Sequence, residues 1–230
     1  MSDYKQEFYH QLSGLTWSLW KELGVAGTDR FHEHCLIQPE ELIILTIITS
    51  DYDPRLRDEA LDWSSRYHEY ISISRLRTLL KEADPSTLCS FSRFAMTLNS
   101  ISSTKWPIMA DAAQFKTKIS EKSVLPPLEM PSLLTLRSRS LFGPGAKADV
   151  LTHLLTKSGM QFSAADLVEI GYSKRSLMTA LDHLAALGLI HVTHLRNKKN
   201  YELKKLKELQ IVIGKLPQIA PPWNKILKAI

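Results

Sequence analysis

Cysteine is scarce in this chain. Cys35 and Cys89 are its only two in 230 residues, and they stand far apart. No disulfide framework is expected, and a reducing cytoplasm is the natural compartment. Long apolar runs are missing as well. The longest, LIILTII at 42–48, falls well short of the roughly 20 residues that cross a bilayer. The opening MSDYKQEFYH has neither the basic start nor the apolar core of a signal peptide. A soluble cytoplasmic protein without a membrane partner is therefore expected. There is no serine-hydrolase elbow, no CxxC pair and no HExxH. LFGPGAKADV (141–150) carries Gly-Pro-Gly before Lys147, but it lacks the spacing and the Lys-Ser/Thr pair of a phosphate-binding loop. It reads as a hinge. No internal repeat is evident, no cofactor is implied, and no enzyme is indicated.

What the chain does have is segregated charge. Hydrophobic residues make up 44%, enough for real cores, and the net charge is +5. Residues 1–136 hold 14 Lys/Arg against 18 Asp/Glu, a net of −4, whereas residues 137–216 hold 13 against 6, a net of +7. A basic segment of this kind is the footprint expected for phosphate contact, with a solvated surface as the alternative.

Inside that basic segment lies GYSKRSLMTALDHLAALGLI (171–190), followed by HVTHLRNKKNYEL. Ser173 is suited to capping a helix that starts at Lys174. Leu177, Leu181, Leu184 and Leu187, with Ala180, form one apolar stripe, and Gly188 is suited to ending the helix. The other face carries Lys174, Arg175, Met178, Thr179, Asp182 and His183. Cations in the first turn oppose the helix dipole unless an anion binds there. Taken alone, the segment also fits an ordinary amphipathic helix with solvated lysines. Upstream, Ala146, Val150, Leu151, Leu154 and Leu155 mark a first helix over 146–157, and Ser163 caps a short second helix, AADLVEI. Downstream, residues 189–195 read as a strand, 196–200 as a basic turn and 201–203 as the return strand.

This order of helix, helix, helix, strand, basic turn and strand resembles the winged helix-turn-helix domains of bacterial and archaeal transcription regulators. Those include the arsenic-responsive and multiple-antibiotic-resistance repressors. The resemblance covers about Arg137 to Leu203, and the cysteine pairs of metal-sensing members are lacking. It implies a DNA-binding transcriptional regulator of prokaryotic type, with helix 173–187 in the major groove. On that reading Arg175, Thr179 and His183 meet base edges, Lys174 and Ser176 hold phosphates, and Ser173 at the cap belongs to the same DNA-binding surface. Arg196, Lys198 and Lys199 contact backbone or minor groove. Arg137, Arg139 and Lys147 add phosphate contacts, and Leu187 belongs to the core with the other stripe leucines. A homodimer on a pseudo-palindrome is expected, joined through the N-terminal half or the segment from Lys204 onward. There Leu206, Leu209, Val212, Ile213 and Leu216 share a helix face. The alternative is a protein-docking module that does not bind DNA.

The N-terminal half reads as helical. Helices are expected over 7–24 (Phe8, Leu12, Leu15, Leu19 and Leu23 inward), over 39–48, from Pro54, from Ser72 or Ser74 to Leu80, and over 85–101. Residues 19–80 and the RSRSLFGPGAKADVL junction resemble poorly characterised prokaryotic proteins that also end in a winged helix. Any effector would bind this half. His32-Glu33-His34-Cys35 holds dense metal-ligand types, but no second cluster completes a site, and a polar loop is expected. The acidic run Asp51, Asp53, Asp58, Glu59 and Asp62 is expected to cap and to complement a helix start. The overall expectation is a mainly α protein. It comprises a helical domain over 1–119, a Pro-rich linker over 120–136 that docks on one domain, a winged domain with a small hairpin over 137–216, and a short helix beginning at Pro221-Pro222-Trp223 within 217–230.

Overall fold

The computed structural model describes residues 3–27, 35–195 and 198–229. The protein is mainly helical, with a small two-stranded antiparallel sheet. The first half contains α1 (Asp3–Glu22), α2 (Pro39–Ile48), α3 (Pro54–Arg66), α4 (Ile73–Leu79) and α5 (Pro85–Ile101). After a long extended segment come α6 (Leu134–Phe142), α7 (Ala146–Thr156), a 3-10 turn at Asp166–Ile170 and α8 (Lys174–Ala186). Then follow β1 (Ile190–Leu195), β2 (Lys198–Leu203), α9 (Leu206–Ile213) and α10 (Trp223–Ala229).

Local chemistry sets the helix starts. Asp53 Oδ1 accepts from the Leu56 amide at 3.1 Å, Ser72 Oγ caps α4, and Asp84 Oδ1 accepts from Ser86 and Thr87 at the head of α5. Proline occupies the first helical position of α2, α3 and α5, where its missing N–H costs nothing. In α1 the inward face includes Leu12, Leu19 and Trp20, with Leu23 buried just past its end, while Phe8, expected inside, is 41% exposed. Trp20 is fully buried, and its indole N–H donates to Thr46 Oγ1 at 2.7 Å.

Residues 102–130 have almost no regular structure, yet they are not a free connection. Side chains of α5 and α3 take up their backbone amides. Asn99 Oδ1 accepts from Trp106, Ser92 Oγ from Met109 and Ala110, and Thr97 Oγ1 from Phe115. Asp62 accepts from Glu121 and Ser123. The guanidinium groups of Arg57 and Arg93 lie 4.2 and 4.1 Å from the Phe115 ring centroid. Gly24 is needed where the strap crosses α1, since a Cβ there would lie 1.7 Å from the Val124 carbonyl oxygen. α6 begins at Leu134, inside the stretch expected to be linker.

Two apolar cores result, and they share elements. Trp20, Trp63, Phe91 and Phe94 anchor the first, and Leu151, Leu155, Leu177 and Leu181 the second. α6 belongs to both, sending Leu136 into the first and Leu134 into the second. The C-terminal end returns to the first half: Leu36 N donates to Ile219 O at 2.8 Å, and buried Trp223 donates from Nε1 to Leu36 O at 3.1 Å. On α9, Leu209 and Ile213 are buried and Leu206 and Leu216 half-buried, but Val212 is 67% exposed rather than inward. The eight-residue helix presents too narrow a face to cover it.

Polar chemistry joins the two cores. Glu40 and Glu41 sit in the first turn of α2, which is buried on nearly every side. Arg139 of α6 reaches Glu40 at 2.6 and 2.9 Å and Asp149 of α7 at 2.8 and 2.6 Å. Arg75 of α4 pairs with Glu40 at 2.8 Å and with Glu41, and its Nε donates to Ile170 O at 2.6 Å. The Tyr172 hydroxyl lies 2.7 Å from Asp149 Oδ2 and 2.9 Å from Ser72 Oγ. All of these groups are buried.

Removing one partner from such a cluster strands the others without water. Arg139→Met should destabilise the fold by about 3–5 kcal/mol in urea titration followed by tryptophan fluorescence. The cluster also has three carboxylates facing two guanidinium groups. Burial pushes the Glu41 carboxyl up to about 7, opposed by Arg75 and assisted by Glu40. The folded chain therefore holds a proton that the unfolded chain releases at lower pH. That stabilisation is full below the ordinary carboxylate range and is lost as pH rises through about 7. Relative to Glu41→Gln, whose side chain stays neutral, the wild-type unfolding free energy should fall between about pH 5 and about pH 8. A difference that does not vary with pH would refute this assignment.

Candidate nucleic-acid interface

The segment singled out in the sequence folds around α8. Ser173 caps it, its Oγ accepting from the Ser176 amide at 3.2 Å and lying 2.9 Å from Ser176 Oγ. Leu177, Leu181 and Leu184 are fully buried and Ala180 nearly so, which turns the opposite face outward. Ser173, Lys174, Arg175, Ser176, Thr179 and His183 are all exposed on α8 and at its cap. The first turn contains no acidic residue. Two cations thus stand at the positive end of a helix dipole, an arrangement that favours a bound anion. Among the described residues neither Lys174 nor Arg175 makes an ion pair. Thr179 Oγ1 donates back to Arg175 O at 3.1 Å, so its hydroxyl is left as an acceptor.

The hairpin follows directly. β1 and β2 pair antiparallel, with Ile190 opposite Leu203 and Leu195 opposite Lys198. The basic turn expected over 196–200 is therefore shorter. Lys198, Lys199 and Asn200 belong to β2, because they pair with Leu195, His194 and Thr193 of β1. Lys198 and Lys199 are exposed and make no ion pair among the described residues. Arg196 lies outside the described residues. Lys204 and Lys205, both exposed, continue from β2, with Lys204 N donating to Leu189 O at 3.0 Å. The sequence places them at the start of one of two candidate dimer segments; their place at the hairpin base follows only from the register.

Three expectations need correction. Arg137 and Arg139 do not face a partner: Arg139 is in the buried cluster, and Arg137 donates to the carbonyls of Leu128, Met130, Ile213 and Lys215. A buried guanidinium needs all its donors satisfied, and helix ends and the strap satisfy them here. Lys147 is only half-buried. Leu187 is 58% exposed because it is the C-cap, where the chain turns away through Gly188 at φ +67°. The second helix expected at 164–170 is a 3-10 turn whose Leu167 and Ile170 still enter the core. Gly171, at φ +94°, ends it.

Elsewhere, the acidic run serves structure. Asp53 also accepts from Ser13 Oγ and Trp17 Nε1, Asp58 pairs with Arg57, and Glu59 accepts from Ser120. Among the described residues no three His, Cys, Asp or Glu side chains are grouped to hold a metal, and no helix is long and apolar enough to cross a membrane. His32, Glu33 and His34 lie outside the described residues.

Neither family models, nor curated proteins, nor solved structures match this chain. The functional reading therefore stands on its own residues.

Burial separates two leucines that the stripe treats alike. Leu184→Ala should cost about 2–5 kcal/mol in urea unfolding, whereas Leu187→Ala should stay within about 0.5 kcal/mol. Equal losses would place Leu187 in the core after all.

Proposed function

We propose that the protein binds double-stranded DNA as a sequence-specific transcriptional regulator, through a winged helix-turn-helix formed by α7, the Asp166–Ile170 turn, α8 and the β1–β2 hairpin. One observation carries this reading: Lys174, Arg175, Lys198 and Lys199 are exposed and without ion pairs among the described residues. They lie at a helix start and on the adjoining hairpin, while Arg137 and Arg139 of the same segment are consumed internally. Unspent cations at a helix N-terminus, beside a second basic element, are what a phosphate backbone needs. In this reading Arg175, Thr179 and His183 face base edges. Ser173, Lys174 and Ser176 hold the helix start on phosphates, and the hairpin lysines, with Lys204 and Lys205, follow the flanking backbone. A single unit of this size reads few bases, so two copies on a pseudo-palindrome complete the proposal. The exposed Ile211 and Val212 of α9 supply apolar surface for that contact.

Fluorescence anisotropy with a random duplex pool at several salt concentrations tests the reading, followed by enrichment of genomic fragments to define a site. Affinity should fall steeply with salt, and Lys198→Ala should reduce the log–log slope by about 1. Arg175→Ala should cost about 1–3 kcal/mol on an enriched site and relax its sequence preference. Absence of binding at about 50 mM salt would reject the proposal and favour a protein-docking role for the same face.

A further inference from the structure

Residues 1–136 are acidic overall, yet one place among them gathers positive charge. Phe115 of the strap is buried, and its amide donates to Thr97 Oγ1 of α5 at 2.9 Å. The guanidinium groups of Arg57 on α3 and Arg93 on α5 both lie on this ring, at 4.2 and 4.1 Å from its centroid. A ring face attracts a cation and orients it, so both groups are held in place. Lys116 and Lys118 follow directly on the strap, and both are exposed. Few carboxylates oppose these cations. α5 has no acidic residue, and Arg93 is its only charged one. Between residues 102 and 120 the strap has one acid, Asp111. On α3, Glu59 accepts from Ser120 Oγ, and Asp62 accepts from the amides of Glu121 and Ser123. Asp58 pairs with Arg57 through its Nε and Nη2. The Arg93 guanidinium, which is half-buried, makes no ion pair and no hydrogen bond among the described residues.

We propose that Arg57, Arg93, Lys116 and Lys118 bind the phosphate group of a small ligand. A guanidinium presents its N–H donors in a planar fork that fits two oxygens of a phosphate. Two such forks are fixed on one ring here, so little side-chain freedom is lost when an anion arrives. Every N–H of Arg93 is free to donate, because the ring engages only its face. The lysines add charge without a fixed direction. Asp111 and Glu121 bracket this stretch along the chain, so the strap itself offers no continuous basic track for a polyanion to follow. Phe115 is a positioning residue: it touches the two guanidinium groups and sets where they stand. No residue of α8 or the hairpin takes part, and the site does not rest on the function proposed above.

Magnetic-resonance titration of the isotope-labelled full chain with inorganic pyrophosphate, at constant ionic strength, tests the assignment and localises the ligand. The amides of residues 115–118 should shift together and report a Kd below about 1 mM. Arg93→Gln should weaken that Kd at least about tenfold. Lys116→Gln with Lys118→Gln should weaken it about threefold or more. Phe115→Leu, which keeps apolar volume and removes the ring face, should also weaken it about threefold or more. Lys81→Gln removes an exposed charge from the same half and should leave it unchanged. Thermal unfolding checks that the variants fold, and Arg93→Gln suffices if Phe115→Leu does not. No shift at these amides up to about 1 mM would overturn the site. So would a Kd untouched by Arg93→Gln, or one that Lys81→Gln weakens as much as the lysine pair. The duplex titration separates this site from the DNA reading. Pyrophosphate bound at the strap with no duplex binding leaves the site standing and removes the DNA proposal. Duplex affinity that Arg93→Gln lowers as much as pyrophosphate affinity would place these residues on a nucleic-acid path and overturn the small ligand.

Discussion

Arg75, Arg139, Glu40, Glu41 and Asp149 form a cluster in which every member depends on the others, because none of them reaches water. They come from α2, α4, α6 and α7, and the cluster also holds the turn into α8 through Ile170 and Tyr172. A buried ion cluster is a weak source of net stability, since desolvation consumes most of the attraction. Its effect is geometric. Apolar contacts alone would let the two cores slide over one another with little change in energy. Paired guanidinium and carboxylate groups tolerate only one arrangement. The position of α8 relative to the first half is set there, by bonds of 2.6–2.9 Å from Arg139 and Arg75.

That constraint also sorts the positive charge. The segment 137–216 looks uniformly basic in one dimension, but its cations have different fates. Arg137 and Arg139 satisfy carbonyls and carboxylates inside the fold. Lys174, Arg175, Lys198 and Lys199 are turned outward from one helix start and one hairpin. The surface left for an anionic partner is smaller than the composition implies and more localised. A guanidinium, with five fixed donors, suits a site crowded with acceptors; a lysine on a hairpin keeps its hydration until something displaces it.

The strap over residues 102–130 shows the same economy in neutral groups. Its amides would be an unpaid cost if they were buried without partners. Hydroxyl, amide and carboxylate side chains on α5 and α3 accept from them, so a segment without regular hydrogen bonding still packs firmly. Through Met130 and Leu128 it also supports Arg137, and with it the end of α9.

The sequence by itself determined whatever depends on near neighbours in the chain. Helix starts at Pro39, Asp53-Pro54, Ser72, Asp84-Pro85 and Ser173 were legible because a cap and a proline act within one turn. The outward face of α8 was legible because Leu177, Leu181 and Leu184 repeat with the helical period. So were the hairpin and the burial of Trp223. Tertiary structure alone decided the rest. Whether an arginine is a surface contact or an internal strut depends on acceptors up to 99 residues away, as for Arg139 and Glu40. Leu187 obeys the same spacing as its neighbours, yet the helix ends beneath it. The extent of the hairpin follows from the β1–β2 register, which carries pairing out to Leu195 and Lys198, and the entry into α8 is set by Gly171 packing on Leu79. Local periodicity reports which side of an element is apolar; only packing reports what that side meets.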